Sequence, residues 1–505
     1  MRVVGALTAI DWSILGLYMG TVLAIGIAAS RTFKDTEGYF LAGRDMPSWA
    51  VALSVLATTL SAATFISVPE LAYRGDLTYL ILNIGAVFGV VFVACVIIPP
   101  IYRSGTLTVY GYLGKRYGTG AMIAASLAFL TGRLLASGAR LFIAAIAVSL
   151  VVYGDTSSNH LVGAVILFGA VGTVYTLFGG IRAVIWTDVI QIFVVVGAAF
   201  LSIYLLLDAI PLDGRGIIAV LTEAPEGSKL KIVDWRMDRT LSFTVWTGLF
   251  ASAFVTASAY SVDQDMVQRL LTARSAKAGG RALIGAILLG IPVVCLFLAI
   301  GLLLYIYYGR PDIMNGAAPP DVLDDAKRVY PQYLLNHLPQ GLRGLTMAGL
   351  FAAAMSSLDS AVNALASSAI GDILQPLRNV KGRHDAISLR TSRIAVAAAG
   401  LLLTAFGVLA VFLQSRGNET VLGFALGIMA FANAPLFGVF TAAVLTRRGN
   451  SNSAGAALIT GALVVLLLQP YMLPTAFPAL QLAWPWWWVI AAPTSFVVCV
   501  SARPD

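Results

Sequence analysis

Long apolar runs recur along the whole chain and are separated by short polar segments. A helix that spans a bilayer needs about 20 predominantly apolar residues, and thirteen runs are of that kind. We therefore predict an all-α polytopic membrane protein, with residues 1–505 forming one transmembrane domain. The predicted spans are 11–30, 49–69, 77–102, 121–153, 160–180, 183–210, 241–262, 280–308, 341–374, 391–415, 420–446, 453–473 and 483–502.

Small polar residues interrupt the second of these runs. Between residues 49 and 70, Ser54, Thr58, Ser61 and Thr64 follow spacings of four, three and three, so a helix carries them as one stripe. Hydroxyl groups in hydrocarbon need internal partners, so the stripe faces other helices or a watery cavity. Two interpretations stay open: an unwound stretch whose backbone binds an ion, and hydroxyl contacts between packed helices.

A second interruption falls in the run 249–263, five helices after the first. Two interrupted helices in corresponding positions indicate an inverted repeat with its binding site at the interface between the repeats. The predicted layout has an extra first helix (11–30), two repeats (49–210 and 241–446) and two extra C-terminal helices (453–502).

The run 351–368 concentrates Ser356, Ser357, Asp359 and Ser360 on one face of an Ala-rich helix. A carboxylate at membrane depth is costly enough to point to a function, and oxygen ligands with one negative charge suit a hard cation such as sodium. We predict an ion site here, with a polar packing stripe as the alternative.

Asp188 is a further acid inside a span, and Thr187 and Gln191 supply more oxygen atoms beside it. It either begins a helix near the cytoplasm, where it offsets the helix dipole, or shares one cation site with Asp359. The sequence favours the shared site.

Arg133 and Arg140 lie two turns apart on one face of a predicted span. An intramembrane arginine is expensive unless it is paired or hydrated. Two roles are therefore open for each arginine. It is a counter-ion for Asp188, Asp263 or Asp359, or its guanidinium group binds both oxygens of a substrate carboxylate. The sequence favours a substrate-binding role for at least one of the two arginines over such a role for neither.

Composition excludes several function classes. With 58% hydrophobic and 11% charged residues, the chain does not resemble a soluble protein. The net charge of +8 comes from Lys and Arg in alternate loops, which predicts an external N-terminus, a cytoplasmic C-terminus and no nucleic-acid partner. The sequence carries no P-loop, paired-histidine metal motif or Gly-x-Ser-x-Gly elbow, so we expect no enzyme.

Four segments resemble the sodium/solute symporters, which have the LeuT-type fold, and most closely the bacterial sodium/sialic acid symporters. The resemblance implies a repeat of five plus five helices and sodium-coupled import of a small organic solute, a sialic acid or related sugar acid, across the bacterial inner membrane. The segments are SVLATTLSAATFISVPELAY (54–73), YTLFGGIRAVIWTDVIQ (175–191), DQDMVQR (263–269) and FAAAMSSLDSAVNALAS (351–367).

The resemblance also implies one or two sodium sites. The first uses the backbone carbonyls of Ala57, Leu60 and Ala353 with the hydroxyls of Ser356 and Ser357.

The second, present in some members, uses Asp188, Ser356, Asp359 and Ser360. The sialic acid symporters have serine where this chain has Asp359, so a stronger sodium site and a proton site both remain open.

For the substrate, the resemblance implies hydroxyls of the broken helix and an arginine two helices later. Without gaps that arginine falls on Ala136, between Arg133 and Arg140, and Asn83 stands where the relatives have glutamine. The candidate substrate residues are Thr58, Ser61, Thr64, Asn83, Arg133, Arg140 and Phe254.

Other interpretations remain open at this point. They are a proton-coupled symporter, a symporter for a neutral sugar or an amino acid, and a transporter-like sensor. We expect a monomer that has the lipid bilayer and a small molecule as its partners.

Overall fold

The computed structural model describes residues 7–29, 35–153, 155–314, 329–380, 387–414, 421–470, 472–477 and 481–504. Within these ranges, eight helices are long and apolar enough to cross a membrane, or nine if the bent pair near residue 60 counts as one span. Three shorter apolar helices lie at Thr247–Val262, Ser451–Leu467 and Trp486–Ser501. The prediction of an all-helical polytopic membrane protein is confirmed.

The described part of the N-terminal half contains ten α-helices. They are α1 (Ala9–Ala29), α2 (Thr36–Leu41), α3 (Ser48–Thr59), α4 (Ala62–Arg74), α5 (Leu82–Phe92), α6 (Ile98–Ser104), α7 (Val109–Tyr117), α8 (Thr119–Tyr153), α9 (Ser158–Ala209) and α10 (Gly214–Thr222).

Among the residues described in the C-terminal half there are eleven α-helices. They are α11 (Ser252–Val262), α12 (Gln264–Leu271), α13 (Ala276–Gly309), α14 (Val329–Asn336), α15 (Leu342–Ser368), α16 (Gln375–Val380), α17 (Leu389–Gln414), α18 (Val421–Leu445), α19 (Ser451–Leu467), α20 (Leu473–Ala476) and α21 (Trp486–Ser501).

The predicted break in the second span lies between α3 and α4, which are bent by 61° relative to each other. Leu60 leaves the helical conformation (φ −87°, ψ 74°) after its N–H closes the last turn on the Leu56 carbonyl. Ser61 then caps α4 by accepting from the Thr64 N–H at 3.4 Å. The carbonyls at the end of α3 therefore lack the amides that a continuous helix would offer them.

The long helix α9 contains both of the spans predicted at 160–180 and 183–210. At Gly180 the backbone turns through φ 55° and ψ −163°, a conformation that glycine adopts readily. A side chain there would meet the Tyr39 carbonyl oxygen at 2.6 Å. Gly180 thus joins two apolar segments without an intervening loop.

The predicted second interruption takes a different form. A π-helical turn, Thr247–Ala251, begins the run, and α11 continues from it as a regular α-helix through Val262. Its hydroxyls make contacts between helices instead. Ser252 donates to the Leu82 carbonyl at 2.5 Å, and Ser258 donates to the Asn433 carbonyl at 2.9 Å. The chain leaves the helix only at Asp263 (φ −79°, ψ 111°), whose side chain caps α12.

The segment after this break corrects the sequence prediction, which left residues 263–279 as a loop between the predicted spans 241–262 and 280–308. Every residue of α12 is buried, although its sequence QDMVQRLL is polar. The buried charges are tolerated because they are paired, as described below. Helix α15 is enclosed in the same way, by α1, α8, α9 and α17.

Candidate ion and substrate site

A buried network of ion pairs connects α8, α9 and α12. Arg133 Nη1 lies 2.9 Å from Asp263 Oδ2, and its other terminal nitrogen pairs with Asp265. Arg269 Nη1 lies 2.6 Å from Asp265 Oδ1, and its Nη2 lies 3.1 Å from Asp188 Oδ2. Every one of these side chains is at most 3% exposed. Because unpaired buried charges are costly, the network explains how a polar helix lies inside the protein.

Arg269 also contacts the residues predicted for a second sodium ion. Ser356 Oγ donates to Asp188 Oδ1 at 2.6 Å, and Ser54 Oγ donates to Asp188 Oδ2 at 2.6 Å. Ser360 Oγ accepts from Arg269 and donates to the Ser356 carbonyl. The guanidinium group therefore supplies the positive charge next to Asp188 and Ser360.

Sequence reasoning missed Arg269 as a site residue because it assigned the segment to a loop. The available signal was the spacing of Asp265 and Arg269, since residues four apart on a helix lie side by side. The structure confirms that contact.

Asp359, next to Ser360 on α15, has a different set of partners from Asp188. Its Oδ2 accepts from the Tyr175 hydroxyl, and its Oδ1 accepts from the Ser360 N–H at 2.6 Å. The residue is fully buried. Within the described ranges, no Lys, Arg or His forms an ion pair with it.

The residues predicted for the first sodium ion lie at the α3–α4 break and on α15. Ala57, Leu60 and Ala353 are all buried, and α15 packs against both α3 and α4. Ser357 Oγ is buried and makes no hydrogen bond in the described part of the chain. Since buried polar atoms normally have a partner, this free hydroxyl fits a cation ligand.

A small cavity adjoins this hydroxyl. It brings Ser61 and Arg140 from the predicted substrate set together with Ser357 from the predicted sodium set. It also includes Ser137, which sequence reasoning missed and whose buried hydroxyl has no partner in the described ranges. The lining residues are Ser61, Ser137, Arg140, Leu141, Ala354, Ser357 and Leu358.

The two arginines of α8 have different surroundings. Arg133 is held by two carboxylates and does not line the cavity. Arg140 lines the cavity, and no ion pair or hydrogen bond joins it to any residue that the structure describes. The counter-ion interpretation therefore suits Arg133, and the substrate-anchor interpretation suits Arg140.

The other predicted substrate residues do not line this cavity. Thr64 contributes indirectly, since its hydroxyl lies 3.4 Å from Ser61 Oγ. Thr58 Oγ1 donates to the Ser54 carbonyl at 2.9 Å, and Asn83 Nδ2 donates to the Leu80 carbonyl at 3.1 Å. The Phe254 ring packs edge-on against Phe437, with 6.2 Å between ring centres.

Known proteins are similar to this chain along almost its whole length. The Sodium:solute symporter family matches residues 39–461. The sodium/sialic acid symporter NanT of Aliivibrio fischeri is 30% identical, over 91% of this chain and 88% of the relative. The sodium/sialic acid symporter SiaT of Proteus mirabilis is 28% identical, over 90% of this chain and 89% of the relative.

A solved structure agrees with these relatives. It is the substrate-bound, outward-open state of a Na⁺-coupled sialic acid symporter, with a TM-score of 0.83 and 25% identity, and it covers 98% of this chain and 97% of that one. The predicted resemblance, the coupling to sodium and the transport of a small organic solute are confirmed. The chain belongs to the sodium:solute symporter family.

Proposed function

We propose that this symporter imports an organic carboxylate together with sodium by alternating access. The observation that carries the proposal is that Arg140 lines a cavity together with Ser61 and forms no ion pair or hydrogen bond with a residue that the structure describes. A guanidinium fork matches the geometry of a carboxylate, and hydroxyls satisfy its remaining lone pairs. Because the similar bacterial proteins are named sialic acid symporters, sialic acid and related sugar acids are the first candidates.

We further propose that the first sodium ion binds at the carbonyls of Ala57, Leu60 and Ala353 and the hydroxyls of Ser356 and Ser357. The buried Ser357 hydroxyl, which has no hydrogen-bond partner among the described residues, supports this assignment. When bound, the ion supplies positive charge at the α3–α4 break. The residues around it orient that charge toward the cavity, since Ser357 also belongs to the cavity lining.

The proposed topology has thirteen crossings in one domain. The eight long apolar helices become nine crossings when α9 is counted as two, on either side of Gly180. The bent pair α3–α4 adds one crossing, and the three shorter apolar helices add three. Residues 49–210 and 241–446 form the two repeats, with 11–30 before them and 453–502 after them. We propose a monomer in the bacterial inner membrane with its C-terminus in the cytoplasm, in line with the distribution of Lys and Arg.

The experiment is uptake by proteoliposomes that contain the purified chain. An inward sodium gradient should drive accumulation of labelled N-acetylneuraminate, and a choline gradient should not. Competition with other carboxylates and with the amide of each defines the anion requirement. Uptake driven equally by a proton gradient without sodium would contradict sodium coupling, and equal competition by acid and amide would favour a neutral sugar.

A further inference from the structure

Lys229 lies in the segment that follows α10, and its side chain is buried. Its exposed fraction is 3%, whereas lysine is almost never fully buried without a partner. Its backbone N–H donates to the Leu221 carbonyl at 2.8 Å, which ties the residue to the last turn of α10. A buried ammonium group needs compensation for the hydration that it has lost, so its partners indicate what it does.

The ammonium group of Lys229 binds the C-terminal end of α4. Nζ donates to the carbonyls of Tyr73 and Arg74, each at 3.1 Å. These are the last two residues of α4, and carbonyls in the last turn have no partner within their own helix. A positive charge at this end also complements the helix dipole. Lys229 thus caps α4 from a segment 155 residues further along the chain.

Two side chains complete the surroundings of the ammonium group. Nζ lies 4.3 Å from the centre of the Tyr305 ring, in a cation–π contact. Glu226 Oε2 lies 4.0 Å from Nζ and accepts from the Tyr305 hydroxyl at 3.2 Å. Tyr305 belongs to α13, and its ring also meets the Tyr73 ring, with 6.4 Å between ring centres. Lys229 therefore joins the end of α4 to α13.

Helices α4 and α13 approach each other closely beside this contact. A Cβ at Gly301, one turn before Tyr305 on α13, would lie 2.2 Å from the Pro69 carbonyl oxygen and 2.9 Å from the Ala72 side chain. The absence of a side chain at Gly301 allows this approach. A tilt of α4 away from α13 would open the contact and break the Lys229 hydrogen bonds at the same time.

The opposite end of α4 belongs to the proposed ion and substrate site. Ser61 caps the first turn of α4 and lines the cavity with Arg140, and the Leu60 carbonyl before it is a proposed sodium ligand. Helix α4 has 13 residues and is about 20 Å long at 1.5 Å per residue. A change of tilt at the Lys229 end therefore moves Ser61 relative to the cavity.

We propose that Lys229 is a positioning residue for transport: its cap holds α4 at the tilt at which Ser61 lines the cavity. Without the cap, α4 samples other tilts, and a ligand binds a partly populated state more weakly in proportion to that population. Sodium at the α3–α4 break opposes the loss, because its proposed ligands include the Leu60 carbonyl. The effect on substrate rests on the proposed function, whereas the effect on α4 does not.

The test compares Lys229→Met with the matched control Lys231→Met. Lys231 lies in the same segment, but its Nζ pairs with Asp234 at 3.0 Å and its side chain is 42% exposed. The Lys231 carbonyl, which accepts from the Leu77 N–H, stays in place. Hydrogen exchange of residues 62–74 without sodium should be roughly tenfold faster in Lys229→Met, which loses two hydrogen bonds from a charged group. It should be unchanged in the control, and Lys229→Arg should restore slow exchange, because arginine also donates to carbonyls.

Uptake of the carboxylate gives the second measurement. At low sodium, Lys229→Met should raise KM roughly tenfold while the maximal rate changes less, and the difference should shrink at saturating sodium. Unchanged exchange and unchanged KM in Lys229→Met would overturn the proposal. So would equal changes in Lys231→Met, a failure of Lys229→Arg to restore either property, or a loss of maximal rate alone at every sodium concentration.

A second variant covers the case in which Lys229→Met does not fold. Glu226 is 66% exposed, and Glu226→Ala removes the acceptor of the Tyr305 hydroxyl together with a carboxylate 4.0 Å from the ammonium group. Exchange in 62–74 should again be faster than in the wild type, and unchanged exchange would overturn the proposal.

Failure of the proposed function gives a different result. Suppose that the wild type takes up no carboxylate, while Lys229→Met speeds exchange in 62–74 and Lys229→Arg restores it. This outcome would refute the proposed substrate and uphold the role of Lys229 in holding α4.

Discussion

Replacing Arg140 by lysine tests whether this arginine holds the substrate. The structure gives Arg140 a place in the cavity lining and no described protein partner, so lysine at this position breaks no internal ion pair. It keeps the charge but loses the planar fork that binds both carboxylate oxygens. Losing one hydrogen bond to a charged group costs about 1.5–3 kcal/mol, which weakens binding by roughly 10- to 150-fold.

Arg133 serves as the comparison, because the structure gives it the opposite role. It is 2% exposed and paired with both Asp263 and Asp265. Arg133→Ala leaves these carboxylates without one of their cations, and breaking a buried pair costs about 3–5 kcal/mol of stability. We therefore expect Arg140→Lys to lose substrate affinity with normal folding, and Arg133→Ala to lose stability first.

The assay is a thermal-shift titration of each purified variant with a carboxylate ligand and with its amide, in saturating NaCl. Sodium binding in the absence of substrate should be nearly unchanged in Arg140→Lys. Wild-type affinity for the acid in Arg140→Lys would refute the substrate role of this residue. An Arg133→Ala protein that is stable and binds sodium but no longer binds the carboxylate ligand would also contradict the assignment, because it would give the substrate role to Arg133.

Three further results are expected. Ser357→Ala should abolish sodium-driven uptake. Ser495→Ala is the control, because it removes another buried hydroxyl without a described partner, and it should leave uptake intact. Equal uptake by both variants would show that Ser357 is not an ion ligand. Gly180→Ala should lower the melting temperature, because φ is 55° there and a carbonyl oxygen would lie 2.6 Å from the new Cβ; an unchanged melting curve would contradict this.

The Arg236 guanidinium beside Asp234 holds the pKa of that carboxyl well below its usual range. The contact should therefore persist at neutral pH and weaken only below about pH 4, and Asp234→Asn should speed hydrogen exchange in 229–245 at pH 7.

Features with a local cause were predictable from the sequence. The apolar runs are long enough to span a bilayer whatever surrounds them. The α3–α4 break follows from hydroxyls that can cap helix ends, as Ser61 does. Helices α10 and α14 lie in the segments 211–240 and 309–340, which are polar, contain prolines and separate predicted spans.

Features that depend on tertiary partners were not predictable in the same way. Arg133 and Arg140 have similar local sequence. Arg133 differs because the start of α12 brings Asp263 and Asp265 to it, whereas Arg140 has no ion-pair partner among the described residues. The same helix was assigned to a loop because its hydropathy is low. Its burial depends on ion pairs with residues more than 80 positions away, such as Asp188 with Arg269. Hydrophobic periodicity contains no information about such pairs.

The proposed coupling between sodium and substrate has a structural basis in the α3–α4 break. Only two residues join α3 to α4: Leu60, whose carbonyl is a proposed ion ligand, and Ser61, which caps α4. An ion that holds this carbonyl against Ser357 therefore also fixes Ser61, which lines the cavity with Arg140. The conformational cost of ordering the turn is then shared by the two ligands. Linkage is reciprocal. Bound substrate must therefore raise the affinity for sodium by the same factor by which bound sodium raises the affinity for substrate.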